Sequence, residues 1–230
     1  MIELDKMTPP IQLTVKEPSF QIQEAFNTLR TNLIFSGENQ RVFLITSSLP
    51  NEGKSYVSFE LARNFSMTGK KTLYIDCDLR KSVAKDRFQI ASVPNGITEY
   101  VSGQTDQIIY RTNFENLYMI FSGQIPPNPS VLLSSERFRS LLKVLREIFD
   151  YIIIDSPPVS SVSDAAVIAN QTDGIVMVVR DRYITRNIVR RCQSQLIQAG
   201  GNIVGVLLNR AERSRPSYPG YYGGSYYYKK

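Results

Sequence analysis

Ser47-Ser48-Leu49-Pro50-Asn51-Glu52-Gly53-Lys54-Ser55 is the stretch on which the reading of this chain turns. It follows the apolar run Val42-Phe43-Leu44-Ile45 and opens onto a helical pattern that begins near Gly53. That is the strand–loop–helix setting in which a loop cradles phosphates. Consecutive backbone N–H groups wrap an anion, and the new helix adds its unsatisfied donors and the positive end of its dipole. Ser48, Pro50, Asn51, Glu52, Gly53 and Tyr56 are then expected to line a bound nucleotide. Lys54 would reach β- and γ-phosphate oxygens, and the Ser55 hydroxyl would take one magnesium position. The spacing Ser48-x-x-x-x-Gly53-Lys54-Ser55 departs from the phosphate-loop pattern only where Ser replaces its first Gly. The bland alternative is an ordinary turn with an exposed lysine.

The composition narrows the chemistry around that loop. At 230 residues the chain is long enough for one large α/β domain with tails. It holds no histidine, which excludes a His-ligated zinc site and a His-based catalytic triad. General-base work falls to Asp or Glu, or is replaced by electrostatics and metal. Cys77 and Cys192 lie far apart, match no metal spacing and are expected to be free thiols. Met1-Ile2-Glu3-Leu4-Asp5 carries acids where a secretory leader has a basic start, and no apolar run approaches the ~20 residues of a membrane span. Membrane association is therefore expected only through a partner or a basic surface. The net charge of +6 fits phosphate ligands, an acidic partner or lipid headgroups, and no Lys/Arg block interleaved with aromatics points to nucleic acid.

Along the chain, residues 1–18 read as an extended arm containing Pro9, Pro10 and Pro18. Ser19 is placed to cap a helix to about Ser36, with Phe20, Ala25, Phe26, Leu29, Leu33 and Ile34 as its apolar stripe. Strand 41–46, the phosphate loop, a helix from 53 to about 67 and a strand Thr72–Ile75 follow. Residues 81–116 are less regular, with a short helix near Gly96–Val101. Leu117–Phe121 reads as a strand, Gln124–Pro129 as a loop, and Ser134 or Ser135 opens an amphipathic helix through Phe149. Tyr151–Asp155, Gly174–Val179 and Ile203–Leu208 are apolar strands, with a helix at about 184–199. Alternating strands and helices predict a mostly parallel sheet covered on both faces, a P-loop NTPase-type α/β fold over 19–212. Residues 213–230 hold Pro, Gly, Ser and Tyr but no aliphatic residue and are expected to form a flexible tail.

Ligands of such sheets sit beyond the carboxyl ends of the strands, and three carboxylates fall there. Asp155 ends its strand before Ser156-Pro157-Pro158, where an acid holds magnesium directly or through water. Asp76 and Asp78, two apart on an extended segment, would point the same way. One can ligate metal while the other deprotonates an attacking hydroxyl; Asp78 is assigned to magnesium and Asp76 to the base. The plain alternatives are a strand-end Asp that caps the next turn and an acid paired with Arg80 or Lys81.

The segment Leu73-Tyr74-Ile75-Asp76-Cys77-Asp78-Leu79-Arg80-Lys81, with SSLPNEGKS before it and YIIIDSPPV after it, resembles the bacterial tyrosine kinases (BY-kinases) of capsule and exopolysaccharide synthesis, where the three segments are called Walker A′, A and B. Helix Glu24–Leu33 and a tail crowded with tyrosines agree, and the resemblance covers the chain from about residue 19. It implies an ATP- and Mg2+-dependent protein-tyrosine kinase that phosphorylates its own tail between subunits. Lys54 and Ser55 would bind ATP and magnesium, Asp78 and Asp155 the metal, and Asp76 would serve the tyrosine hydroxyl. Asn209 and Arg210 occupy the region that contacts adenine in such folds. The acceptors would be Tyr218, Tyr221, Tyr222, Tyr226, Tyr227 and Tyr228. The resemblance further implies a dimer or ring using Glu24 and Arg30, activation by the cytoplasmic tail of a membrane polysaccharide co-polymerase, a cognate tyrosine phosphatase, and a cytoplasmic location at the inner face of the membrane through that partner. Two departures stand out. Asn27 replaces the first Arg of the family's Glu-x-x-Arg-x-x-Arg interface helix, and Asn51 stands where relatives often carry Gly.

Two rival functions remain open on the sequence. A partitioning-type ATPase of the same fold carries a lysine five positions before the loop lysine, where this chain has Leu49, and lacks a tyrosine cluster. A nucleotide-switched scaffold would use the aromatic tail to bind a partner or RNA.

Overall fold

The computed structural model describes residues 10–92 and 94–211. The six candidate tyrosine acceptors lie outside the described residues. Among the described residues seven strands form one sheet: β1 (Val42–Ser47), β2 (Thr72–Asp76), β3 (Tyr110–Arg111), β4 (Leu117–Ile120), β5 (Tyr151–Asp155), β6 (Gly174–Arg180) and β7 (Ile203–Asn209). Their order is β3-β4-β2-β5-β1-β6-β7. All pairs are parallel except β3 with β4. β1, β2 and most of β5 are buried along their length, which is why they read as unbroken aliphatic runs rather than alternating ones.

Among the described residues eight helices cover the two faces: α1 (Phe20–Phe35), α2 (Lys54–Ser66), α3 (Ala84–Phe88), α4 (Ile97–Val101), α5 (Pro129–Ser134), α6 (Glu136–Ile148), α7 (Asp164–Ala169) and α8 (Arg186–Gln198). On one face α1 and α2 join Phe43, Ile45, Tyr74 and Ile153 around an aromatic core. There Phe59 meets Phe88 with ring centroids 4.5 Å apart, and Phe65 stacks on Tyr151 at 4.1 Å. On the other face α6, α7 and α8 pack Phe138, Leu142, Ile168 and Leu196 against Leu44, Ile152 and Met177. Ser135 caps α6 as its position predicts, accepting from Phe138 N at 3.2 Å.

Several expectations are revised. α1 buries Phe26 and Leu33, whereas Phe20, Ala25 and Ile34 face outward. Only one narrow side of the helix meets α2, so the wider apolar stripe is not all core. The loop expected over Gln124–Pro129 ends by starting α5, with Pro129 at its first position; a proline there lacks only an N–H that would be unpaired anyway. α3, α7 and the two-residue β3 carry too little periodicity to be seen in sequence. The described part of the arm lies pinned on the domain. Leu13 is buried, and Glu17 takes Arg63 Nη2 on both carboxylate oxygens at 2.6 Å.

Candidate active site

The carboxyl ends of β1, β5 and β2 converge, because Ile45 and Asp76 are both register partners of Asp155. From β1 the chain enters the loop, which turns through left-handed Asn51 (φ 66°) and Gly53 (φ 97°) before α2 begins. Asn is among the few residues other than Gly that adopt this conformation readily, which explains its acceptance in the loop. Such turns aim successive N–H groups at one point. α2 has no side-chain cap, so its first-turn donors remain for a ligand.

Glu52 does something the motif alone does not reveal. Its buried carboxylate accepts from Leu49 N at 2.6 Å and from Arg180 N at 3.2 Å, tying the loop to the end of β6. Asn209 Nδ2 donates to Glu52 O at 2.8 Å and fills the space where a Cβ on Gly53 would stand, 2.1 Å away. Asn209 and Arg210 also line a groove of about 620 Å³ with Phe26, Gly53, Tyr56 and Leu208, immediately beside the loop. After Asp155, Ser156 N, Val159 N and Ser160 N donate to Ile45 O, Ser47 O and Ser48 O, lashing the next segment to β1 and the loop.

Lys54 Nζ lies 3.0 Å from Asp78 Oδ2, 3.7 Å from Asp155 Oδ1 and 3.1 Å from Ser55 Oγ. Burial alone would lower its pKa, but Asp155 and Asp78 outweigh that and hold the ammonium charged. Asp76 accepts from Ser82 Oγ at 2.5 Å and from Asp78 N at 3.1 Å. Burial first, then Asp155 beside it, lifts its pKa to about 7. Burial also raises Asp155, against the pull of Lys54. Its Oδ2 accepts from Tyr74 OH at 3.3 Å, while its buried Oδ1 has no hydrogen-bond partner. Asp78 Oδ1 accepts from Lys81 N at 3.1 Å. The structure thus brings Lys54, Ser55, Asp76, Asp78 and Asp155 together.

The alternative in which Arg80 or Lys81 neutralises the paired acids does not hold. Lys81 offers Asp78 only its backbone N–H, and the Arg80 guanidinium turns away to Asp164, with Nε to Oδ2 at 2.8 Å and Nη2 to Oδ1 at 3.1 Å. Asp164, wholly buried at the start of α7, also accepts from Ser130 Oγ of α5. This clamp fixes the loop that carries Asp78, and only the long-range fold reveals it. Asp164→Ala strands Arg80 and Ser130; because Arg80 is partly exposed and can rehydrate, the expected cost is about 1–3 kcal/mol. Urea unfolding of the nucleotide-free chain measures it, and an unchanged midpoint would remove the clamp from the account.

Raised Asp76 also makes stability pH-dependent. Between the ordinary value of 3.8 and about 7 the folded chain keeps a proton that the unfolded chain has lost. The nucleotide-free protein therefore loses stability as pH rises through that window and levels off above it. Melting temperatures measured across it in EDTA should fall, and Asp76→Asn should flatten the slope; a slope unchanged by that substitution would assign the effect elsewhere.

Glu24 and Arg30, expected at an oligomer interface, differ in availability. Glu24 is exposed and accepts from Asn27 Nδ2 at 2.8 Å. Arg30 Nη1 is spent within the chain, donating to Asn64 O at 3.0 Å and Asn64 Oδ1 at 2.6 Å. Asn27, in the position of the missing arginine, accepts from Asn64 Nδ2 at 2.9 Å and so helps join α1 to α2. Cys77 and Cys192 are both free and buried. No helix among the described residues is long and apolar enough to cross a membrane.

A mostly parallel sheet with this loop after an inner strand and acids at the ends of β5 and β2 defines a P-loop nucleotide-binding protein, and the AAA domain family matches residues 51–190. The tyrosine-protein kinase CpsD of Streptococcus agalactiae serotype III is 41% identical over 198 residues, 85% of either chain. CpsD of Streptococcus pneumoniae is 37% identical over 221 residues, 94% of this chain and 97% of its own. The kinase domain of the Escherichia coli tyrosine kinase ETK superposes with a TM-score of 0.79 at 35% identity, covering 87% of this chain and 80% of that one. The chain belongs to the bacterial tyrosine-kinase family and is an ATP-dependent protein-tyrosine kinase.

Proposed function

We propose that the chain transfers the γ-phosphoryl group of ATP to tyrosines of its own carboxyl-terminal segment, between neighbouring subunits, and thereby regulates capsular or extracellular polysaccharide synthesis or export. The observation that carries this reading is Lys54 held between Asp78 and Asp155 at the mouth of the loop. Ser48, Asn51, Glu52, Gly53 and Ser55 offer backbone N–H groups to the phosphates, Pro50, which has no N–H, shapes the loop beside them, and Tyr56, Asn209 and Arg210 line the neighbouring groove for the base. The residues fit a magnesium ion. Asp155 Oδ1 is a buried anion without a hydrogen-bond partner, and one lysine faces three carboxylates. Ser55, Asp78 and Asp155 would hold the metal. Magnesium supplies neutralisation of charge on the phosphates.

Phosphoryl transfer asks mainly for positioning and charge neutralisation. The tyrosine oxygen bonds to the γ-phosphorus as the bridge to the β-phosphate breaks, Lys54 stays over the departing charge, and ADP leaves. Asp76, whose pKa near 7 suits a base at neutral pH, takes the phenolic proton and returns it to solvent. Tyr218, Tyr221, Tyr222, Tyr226, Tyr227 and Tyr228 are the acceptors. Glu24 provides the exposed part of a homo-oligomer contact, with Arg30 bracing the helix behind it. Activation comes from the cytoplasmic tail of a membrane co-polymerase, reversal from a tyrosine phosphatase, and location is peripheral through that partner.

Phosphosite mass spectrometry tests this on protein stripped by phosphatase and then given Mg-ATP and an activator tail. Phosphate on residues 218–228 is expected. ATP hydrolysis without protein phosphorylation would favour the partitioning-type ATPase, against which Leu49 in place of the signature lysine already speaks.

A further inference from the structure

No acidic residue stands between Asp181 and Glu212, while Arg182, Arg186, Arg190, Arg191 and Arg210 all fall in that stretch. The excess of five positive charges is nearly the whole net charge of +6. α8 turns Cys192 and Leu196 inward and leaves Arg186, Arg190 and Arg191 exposed. An arginine run on a helix is ordinarily a solvated face balanced by acids one turn away. Here that balance is missing, and none of these three arginines forms an ion pair with any described residue.

The face begins where the described chain ends. Arg180 is the register partner of Asn209, and Asp181 N donates to Asn209 O at 2.9 Å. The described chain therefore ends, at Ala211, on the edge of the sheet from which the chain leaves β6 for α8. Tyr218 is about seven residues beyond Ala211, a reach of up to ~25 Å, and later tyrosines reach farther. α8 itself is only ~20 Å long, so its whole exposed face is within range. Unmodified, residues 212–230 carry Arg213, Arg215, Lys229 and Lys230 against the single acid Glu212 and are repelled. Each phosphate brings roughly −1.5 to −2 charges, so two or three reverse its sign.

We infer that the arginine face of α8 docks the phosphorylated tyrosine segment of the same chain and withdraws the product from the active site. The inference rests on the tail-phosphorylation reading above. The chemistry suits phosphotyrosine: every cation of the face is a guanidinium, whose planar fork meets phosphate oxygens two at a time. A lipid surface would use the same charge but also needs an apolar stripe to insert. The apolar side of α8 is already in the core, and its two exposed isoleucines form no stripe: Ile197 shares the face of Arg186 and Arg190, whereas Ile188 lies well round the helix beside Arg191.

The test uses the full-length Lys54→Met chain, which cannot phosphorylate itself, and a labelled synthetic peptide of residues 213–230 phosphorylated at Tyr221, Tyr222 and Tyr226. Fluorescence anisotropy should show salt-sensitive binding of this peptide and at least tenfold weaker binding of the unphosphorylated one. Arg186→Gln/Arg190→Gln/Arg191→Gln should weaken the phosphopeptide at least tenfold, whereas Arg111→Gln, exposed elsewhere, should not. Equal binding by the triple variant overturns the inference. So does a triple variant that loses only its binding to phosphatidylglycerol vesicles, which would assign the face to lipid. Because the peptide arrives already phosphorylated, failure here is distinct from failure of the chain to phosphorylate itself.

Discussion

Lys54→Met is expected to lower tyrosine phosphorylation by about 10³-fold or more, the scale on which removal of a preorganised charge-stabilising group acts. Two separate losses produce it. The ammonium that would follow charge onto the departing phosphate disappears, and Asp78 and Asp155, 3.0 and 3.7 Å from Nζ, lose their counter-ion. Burial then raises Asp155 further without the opposing pull of Lys54, so it protonates or swings away. Nucleotide affinity should fall with the rate, because a site of three acids without the lysine repels phosphates. Radiolabel transfer and calorimetric titration with a non-hydrolysable ATP analogue measure the two effects. Phosphorylation persisting near the native rate would place the transfer chemistry elsewhere in the chain.

Gly53→Ala should have the next largest effect, on nucleotide affinity. A Cβ at φ 97° costs about 1–3 kcal/mol of backbone strain, worth roughly 10- to 100-fold in affinity if relieved at the loop. The same Cβ would stand 2.1 Å from Asn209 Nδ2, forcing out the amide that holds Glu52 O. The two causes can be separated. Asn209→Ala on top of Gly53→Ala removes the collision and leaves the strain, so nucleotide affinity should recover only in part. Asn51→Gly, at φ 66° but with a residue that tolerates it, should leave affinity nearly unchanged. Full recovery in the double variant would show that strain at Gly53 is negligible.

The parts legible in sequence are those written locally. β1, β2, β5 and β6 are continuous aliphatic runs because both faces of the sheet are covered, and a carboxylate at the end of such a run stands at the ligand edge almost by necessity. Ser135 before an amphipathic pattern marked the start of α6 for the same local reason. By contrast, α1 shows a broad apolar pattern yet buries only Phe26 and Leu33 deeply, since how much of a stripe becomes core depends on the neighbour it meets. α7 has six residues, too few for periodicity to accumulate.

The sequence by itself determined a phosphate loop between a buried strand and a helix, three acids at strand ends, a chemistry without histidine and a tyrosine-rich terminus. Only the tertiary structure decided which charges meet. Arg80 lies two residues from Asp78 yet pairs with Asp164, 84 positions away, and Glu52 serves the amide of Arg180 across 128. Asn209 settles against Gly53 from the far edge of the sheet. The physical reason is that spacing dictates backbone conformation and burial pattern, whereas a buried charge takes whichever partner the packed chain brings within hydrogen-bond reach, because leaving it unpaired costs more than any local preference.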